Sequence, residues 1–389
     1  MDKPKKLKMN AKTFRIITAP IMVLFLIFAL ALSIITNYFT PSLNAFLGKG
    51  ARKATTPSGT SDWDTDYYDI TSTSSEDALN NSLKTSENIA DEGIVLLKNN
   101  GLLPLATEQT VTPFGYDYLN PMMSGSGSGS ADTTADYVYT AEKGINEAFS
   151  NVNSASVDAM KNGTVHETTP AAASGEGGAT AFLGSSTILN EYPAETYNGI
   201  EDSCKGTVGI VFLGRAGGEG GDLYAEAYDD GTPHQLALTD TERGVLDFAK
   251  KNCAGVVVVL NSCNTMQVGE LEDDPDIDAV ITMCTPGAVG FKSLGKILNG
   301  TVNPSGKTVD TFVADCTLTP TYVNFNKGDG ATSYSNASYT RDIWLSKFKG
   351  GPDFDARFRE YEEGVYMGYR WYETAADMDY FTSDNLPDG

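Results

Sequence analysis

Glu219 is a carboxylate with two glycines on each side, in the stretch RAGGEGGDLYAEAYDDG from Arg215 to Gly231. Glycine tolerates nearly any backbone conformation, so a loop built this way can carry a carboxyl up to a substrate and withdraw it. That is the behaviour wanted of a general acid on a moving loop. The plain alternative is an acidic side chain left in water. Arg215 and Asp222 flank it and are the candidate substrate contacts. The glycine spacing fits neither G-x-G-x-x-G nor G-x-x-x-x-G-K-[ST], and no helix opens directly behind it, so a phosphate-bearing cofactor is not expected. His166 and His234 are the only histidines, and the five cysteines form no C-x-x-C pair. Zinc-ribbon and Cys/His protease chemistry therefore lack ligands, and neither metal nor cofactor is expected. Cys253, Cys263 and Cys284 lie in or beside apolar runs, which predicts small buried side chains.

A loop of this kind needs a rigid strand behind it. Val208 to Leu213, Val256 to Leu260 and Ala279 to Met283 are short apolar runs without period-two alternation, the pattern of parallel strands covered on both faces. Between the first two runs, TDTERGVLDFAKK carries a capping box, Thr239 with Glu242, ahead of the apolar face Val245, Leu246, Phe248 and Ala249. After the third run, AVGFKSLGKILNG predicts a helix stopping at Gly300. Another helix is expected over Ser75 to Asn88, opened by Ser74 and Asp77. The alternation predicts an α/β fold: a mostly parallel sheet flanked by helices, with functional loops at the carboxyl ends of the strands. Two stretches rich in small residues, Ser124 to Asp136 and Pro170 to Ser186, read as surface loops or as backbone that closes on a ligand.

At the amino end, Lys3, Lys5, Lys6, Lys8, Lys12 and Arg15 precede Ile16 to Phe39, a run without a charged residue. It matches the ~20 residues that span a bilayer core. The basic flank predicts a cytoplasmic amino terminus, with the folded part outside the cell membrane on a single-pass anchor. A cleaved signal peptide is the competing reading; the run is long for one and no small-x-small site follows. The net charge of -23, from 51 acidic and 28 basic residues, repels nucleic acid, which is excluded as a partner.

Four stretches, taken together, resemble the α/β sandwich domain of family 3 glycoside hydrolases. EGIVLLKNNGLLPL, Glu92 to Leu105, is similar to the opening of that domain, and GGEGGD, Gly217 to Asp222, to its acid/base loop. LNGTVNPSGKTVDTF, Leu298 to Phe312, and YEEGVYMGYRWYET, Tyr361 to Thr374, resemble two later family stretches. The resemblance implies β-glucosidase-like, retaining hydrolysis of O-glycosidic bonds in oligosaccharides or β-glycosides. An aspartate on a separate barrel attacks the anomeric carbon, and a glutamate from the sandwich domain protonates the leaving oxygen, then activates water. The two carboxyls must come within about 5–5.5 Å, one ionised and the other protonated. By its place in GGEGGD, Glu219 maps onto the acid/base.

The chain departs from the family pattern at Leu223, where many members have Arg, and nothing in it resembles the barrel. Ser61-Asp62-Trp63 reads like the barrel's nucleophile motif but sits in polar sequence with no apolar strand before it. The expected organisation is a cytoplasmic basic segment (1–15), a transmembrane anchor (16–39), an extracellular linker (40–73), the sandwich domain (74–375) and a linker towards a missing module (376–389), as in members with the sandwich ahead of the barrel. On that reading this chain supplies the acid/base domain and is inactive alone. The alternative is a non-catalytic extracellular carbohydrate-binding or surface-display domain. Tyr67/Tyr68 and Trp371/Tyr372 could stack on sugar faces or simply pack.

Overall fold

The computed structural model describes residues 10–46, 59, 71–125, 131–171, 187–217, 223–324, 333–334, 356–357 and 363–382. The chain divides into two units, Met1–Thr71 and Ser72–Gly389. In the first, helix α1 (Ala11–Phe46) contains one segment, Lys12–Thr40, long and apolar enough to cross a membrane, with a mean hydropathy of 2.6. Ile21, Leu24, Phe25, Leu26 and Phe28 on it are all exposed. Thr18 and Thr36 donate their hydroxyls to the carbonyls of Phe14 and Leu32, each at 2.8 Å, so these polar groups are satisfied within the helix itself. The helix continues past Phe39 into sequence expected to be linker.

The second unit runs α2 (Ser75–Gly93), β1 (Val95–Asn99), β2 (Thr110–Phe114), α3 (Tyr116–Leu119), α4 (Ala141–Ala148), β3 (Asn151–Val152), α5 (Ser154–Asn162), β4 (His166–Thr168) and β5 (Leu189–Glu191). It continues with α6 (Glu201–Cys204), β6 (Val208–Arg215), α7 (Asp240–Asn252), β7 (Gly255–Ser262), α8 (Gly269–Asp273), β8 (Ala279–Thr282), α9 (Gly290–Leu298), α10 (Pro320–Asn324), β9 (Ser333–Tyr334), β10 (Ala356–Arg357) and α11 (Tyr369–Asp377). The main sheet has the order β1-β8-β7-β6-β2-β3, parallel throughout except for β1, which pairs antiparallel with β8. This is the expected α/β architecture. All residues of β7 and β8 are buried, which explains the unbroken apolar runs: both faces are covered.

Local signals and structure agree closely at α2 and α7. Ser74 accepts the Asp77 amide, and Thr239 and Glu242 complete a reciprocal capping box. On α9, Phe291, Leu294, Ile297 and Leu298 are buried, and Gly300, at φ 76°, turns the chain out of the helix. The Glu92 to Leu105 stretch also gains a physical meaning. Lys98 leaves β1 to donate to the carbonyls of Leu271, Glu272 and Asp274 at 3.1, 2.7 and 2.7 Å, closing the carboxyl end of α8. Asn99 turns the chain by accepting from Gly101 and Leu103.

Only β6, β7 and β8 were legible as strands; β1 to β5, β9 and β10 were not. β2 contains Pro113, and a proline inside a run argues against a strand. Here it is tolerated beside β6, and its carbonyl accepts the buried Ser156 hydroxyl of α5. β1 is an edge strand with a register shift between Leu96 and Lys98. The cysteine expectation is also corrected: Cys263 and Cys284 are exposed and Cys253 half-buried, whereas Cys204 is fully buried. Cys263 and Cys284 fall just beyond the ends of β7 and β8, where the apolar run leaves the core.

Helices α4 and α9 cross at contact distance of their backbones. A Cβ at Gly144 would lie 2.2 Å from the Phe291 carbonyl oxygen, and one at Gly295 would lie 2.7 Å from that of Gly144. Neither obstacle is a side chain that can rotate away, so Gly144→Ala is expected to destabilise the unit by about 1–3 kcal/mol. The check is a lowered urea midpoint at unchanged slope.

Candidate functional site

The carboxyl ends of β2, β6, β7 and β8 form one edge of the sheet, and buried polar groups fix that edge. Arg215, the last residue of β6, is 1% exposed and Glu242 of α7 is 3% exposed. The guanidinium binds both Glu242 oxygens, Nη1 to Oε1 at 2.6 Å and Nη2 to Oε2 at 2.9 Å. Its other donors reach the carbonyls of Gln235 (2.5 Å), Gly214 (2.7 Å) and Ala237 (2.6 Å). A guanidinium has five N–H groups, and all are engaged. The sequence-based expectation that Arg215 contacts substrate is therefore corrected: its donors are spent inside the fold, and it anchors the root of the loop that follows.

The same side chain of Glu242 accepts the Thr239 amide at 2.7 Å, so one carboxylate caps α7 and neutralises the end of β6. Asp117, just after β2, packs beneath Gly214 so closely that a Cβ there would sit 2.3 Å from its Oδ1. Burial pushes the Asp117 carboxyl up to about 8; the positive Arg215 opposes this and Glu242 adds to it. Burial likewise holds Glu191, at the end of β5, well above the usual carboxyl range, although its Oε1 accepts the amides of Tyr116 (2.8 Å) and Tyr192 (2.7 Å). The cluster thus holds the Arg215–Glu242 ion pair beside two carboxyls, Asp117 and Glu191, that burial pushes up.

Glu219 and Asp222 lie outside the described residues, as does most of the Pro170 to Ser186 stretch and the Ser61-Asp62-Trp63 segment. The two roots of the Glu219 loop are described. The buried Gln235 side chain spans them, its Oε1 accepting from the Tyr224 amide at 2.8 Å and its Nε2 donating to the Ala216 carbonyl at 3.4 Å. Beside them, Asn261 at the end of β7 accepts from the Met122 amide (2.7 Å) and donates to the carbonyls of Met122 (2.9 Å) and Cys284 (2.6 Å). Three loops are thereby stapled together. Asn264 presses its amide nitrogen towards Gly217, and that buried nitrogen has no partner among the described residues.

Asp117, Glu191, Gln235, Asn261 and Asn264 were not singled out in the sequence. They are scattered singly along the chain, and only the fold brings them together. His234 is occupied structurally: its Nδ1 accepts the Leu236 amide, which leaves Nε2 to donate to Gln267. Trp371 donates to the Leu318 carbonyl at 2.9 Å and meets Tyr380 edge-on, while Tyr372 stacks on Phe381, so this pair packs within the fold. Among the described residues there is no group of three or more His, Cys, Asp or Glu placed to hold a metal ion.

A mostly parallel α/β domain with a polar edge at its strand carboxyl ends defines the class. The model of the glycosyl hydrolase family 3 C-terminal domain matches residues 94–369, and the chain belongs to that family. A β-glucosidase of Ruminococcus albus is 27% identical over 297 residues, covering 76% of this chain and 27% of its own length. β-Glucosidase A of Butyrivibrio fibrisolvens is 25% identical over 308 residues, covering 73% and 32%. The chain thus spans under a third of each relative. The structure of β-glucosidase 3B from Thermotoga neapolitana with α-D-glucose has the same fold, at TM-score 0.53 and 22% identity over 77% of this chain and 37% of that one.

The buried carboxyls give a pH dependence with a definite sign. In the unfolded chain Asp117 ionises near pH 4, whereas in the fold it keeps its proton to about pH 8. The folded state binds more protons across that window, so Asp117 makes stability fall as pH rises through it, and the fall levels off above about pH 8. Asp117→Asn is neutral in both states and should flatten this slope, leaving the Glu191 share. Urea midpoints measured across the window check this; an unchanged slope contradicts it.

Proposed function

We propose that this chain provides the general acid/base of a retaining, β-glucosidase-like enzyme acting on oligosaccharides or β-glycosides, with Glu219 as the proton donor. The observation that carries the reading is the anchored root of its loop: β6 ends on the Arg215–Glu242 pair, and Gln235 bridges Ala216 and Tyr224, so the glycine-flanked carboxyl springs from a fixed base at the functional edge of the sheet. Asp222, three residues on, is the second candidate for contact with the sugar or for orienting the loop. Protonated Glu219 would donate to the leaving glycosidic oxygen; after the covalent intermediate forms, its carboxylate would take a proton from water. The attacking aspartate would come from a barrel outside this chain, in a protein whose sandwich domain precedes the barrel. Alone, the chain would then show little turnover, because a donor without a nucleophile supplies only part of the stabilisation.

In the catalytically complete enzyme, Glu219→Gln should lower kcat/KM for unactivated disaccharides by about 10²–10⁴-fold. Dinitrophenyl glycosides, whose leaving group needs no proton, should suffer much less in the glycosylation step. Equal rates for wild type and variant on both substrates would remove Glu219 from the mechanism.

The proposal extends to location. The apolar helix behind a basic flank supports an uncleaved anchor, amino terminus in the cytoplasm and folded unit outside. Protease added to intact cells should then digest the folded unit and leave an amino-terminal fragment in the membrane. Full protection of the folded unit would place it on the inner side, and a soluble product lacking residues 16–39 would mean that the segment is a leader.

A further inference from the structure

Cys204 and Cys253 are far apart in sequence and adjacent in the fold. Cys204 ends α6 and is fully buried; Cys253 follows the last turn of α7 and is half-buried. Thr207 sits between them, its hydroxyl 3.8 Å from the Cys253 sulfur and 2.8 Å from the Cys204 carbonyl. The backbone holds the approach: the Thr207 amide donates to the Cys204 carbonyl at 3.1 Å, and the Ala254 amide to the Thr207 carbonyl at 2.8 Å. Gly209 of β6 makes room, since a Cβ there would lie 3.2 Å from the Cys253 sulfur. Each thiol perturbs the other, lowering the Cys204 pKa and raising that of Cys253. Both are free thiols in this structure.

We propose that Cys204 and Cys253 are joined by a disulfide in the mature protein. The placement within the fold is independent of the enzymatic reading; the oxidising surroundings rest on the proposal that the folded unit lies outside the membrane. The chemistry needs a small disulfide as oxidant, such as oxidised glutathione. One of the two thiols, once deprotonated, attacks one sulfur of the oxidant and releases one glutathione; the other, losing its own proton, then displaces the second glutathione from the mixed disulfide. Two protein thiols become one S–S bond, and the two protons and two electrons leave with the two glutathione thiols. The closed loop runs from residue 204 to 253 and encloses β6, the Glu219 loop and the whole of α7, with the crosslink itself at the amino ends of β6 and β7, opposite the edge from which the loop springs.

Two arms test this on the full chain. In the first, reduced folded protein is treated with excess oxidised glutathione, then denatured, alkylated and mapped by mass spectrometry. A Cys204–Cys253 linked peptide is expected, with Tm raised by about 5–10 °C. That gain should vanish in Cys253→Ala, while the Cys263→Ala variant keeps it. In the second arm, protein is alkylated in acid directly from cells, and the same linked peptide is expected. Failure to form the peptide in the first arm, or a Cys263–Cys284 linkage in its place, overturns the proposal on geometry. Formation in the first arm with both thiols free in the second overturns it through the compartment, and that result also counts against the outward placement while leaving Glu219 untouched.

Discussion

One ion pair carries much of the site's architecture. Arg215 and Glu242 are taken almost wholly out of water, which costs several kcal/mol per charge and is offset only when geometry and remaining hydrogen bonds are complete. Here they are complete. The guanidinium uses every donor, and Glu242 divides its oxygens between that guanidinium and the amide at the start of α7. The end of a strand, the start of a helix and the Gln235–Ala237 turn are thus tied to a single charge contact. None of the three can shift without exposing a half-satisfied ion to an apolar interior.

This gives the domain a division of labour. The platform is rigid: Asn261 joins the loops after β2, β7 and β8, and Gln235 joins the two roots of the 217–223 connection. The connection it anchors is glycine-rich by sequence. On the proposed reading, a proton donor at Glu219 takes its fixed origin from this platform. The upward push on the Asp117 and Glu191 carboxyls serves the platform too, because it disfavours further negative charge beside Glu242 in an interior that cannot screen it.

Much of the fold was written locally. The apolar runs of β6, β7 and β8 and the Thr239/Glu242 box announce themselves within a few residues, because burial on both faces and an unsatisfied helix end each demand particular side chains. What escaped notice depends on neighbours distant in the chain. Pro113 argues against a strand until Ser156 and β6 supply the surroundings that tolerate it. Cys263 and Cys284 follow apolar runs yet emerge into solvent, since the strands end one or two residues earlier. Arg215 looked like a donor awaiting a ligand because its partners Gln235, Ala237 and Glu242 come only after the loop. Asp117 and Glu191 were invisible for the same reason: nothing in their local sequence says that they will be buried side by side.

The contact between Gly214 and Asp117 has an evolutionary corollary. The aspartate's oxygens already fill the volume that a first side-chain carbon at 214 would need, so even alanine is excluded while position 117 keeps its present size. A smaller residue at 117 would have to come first. These two sites, on neighbouring strand ends but far apart in the gene, can therefore drift in one order only, and a lineage that has altered one should bear the mark of the other.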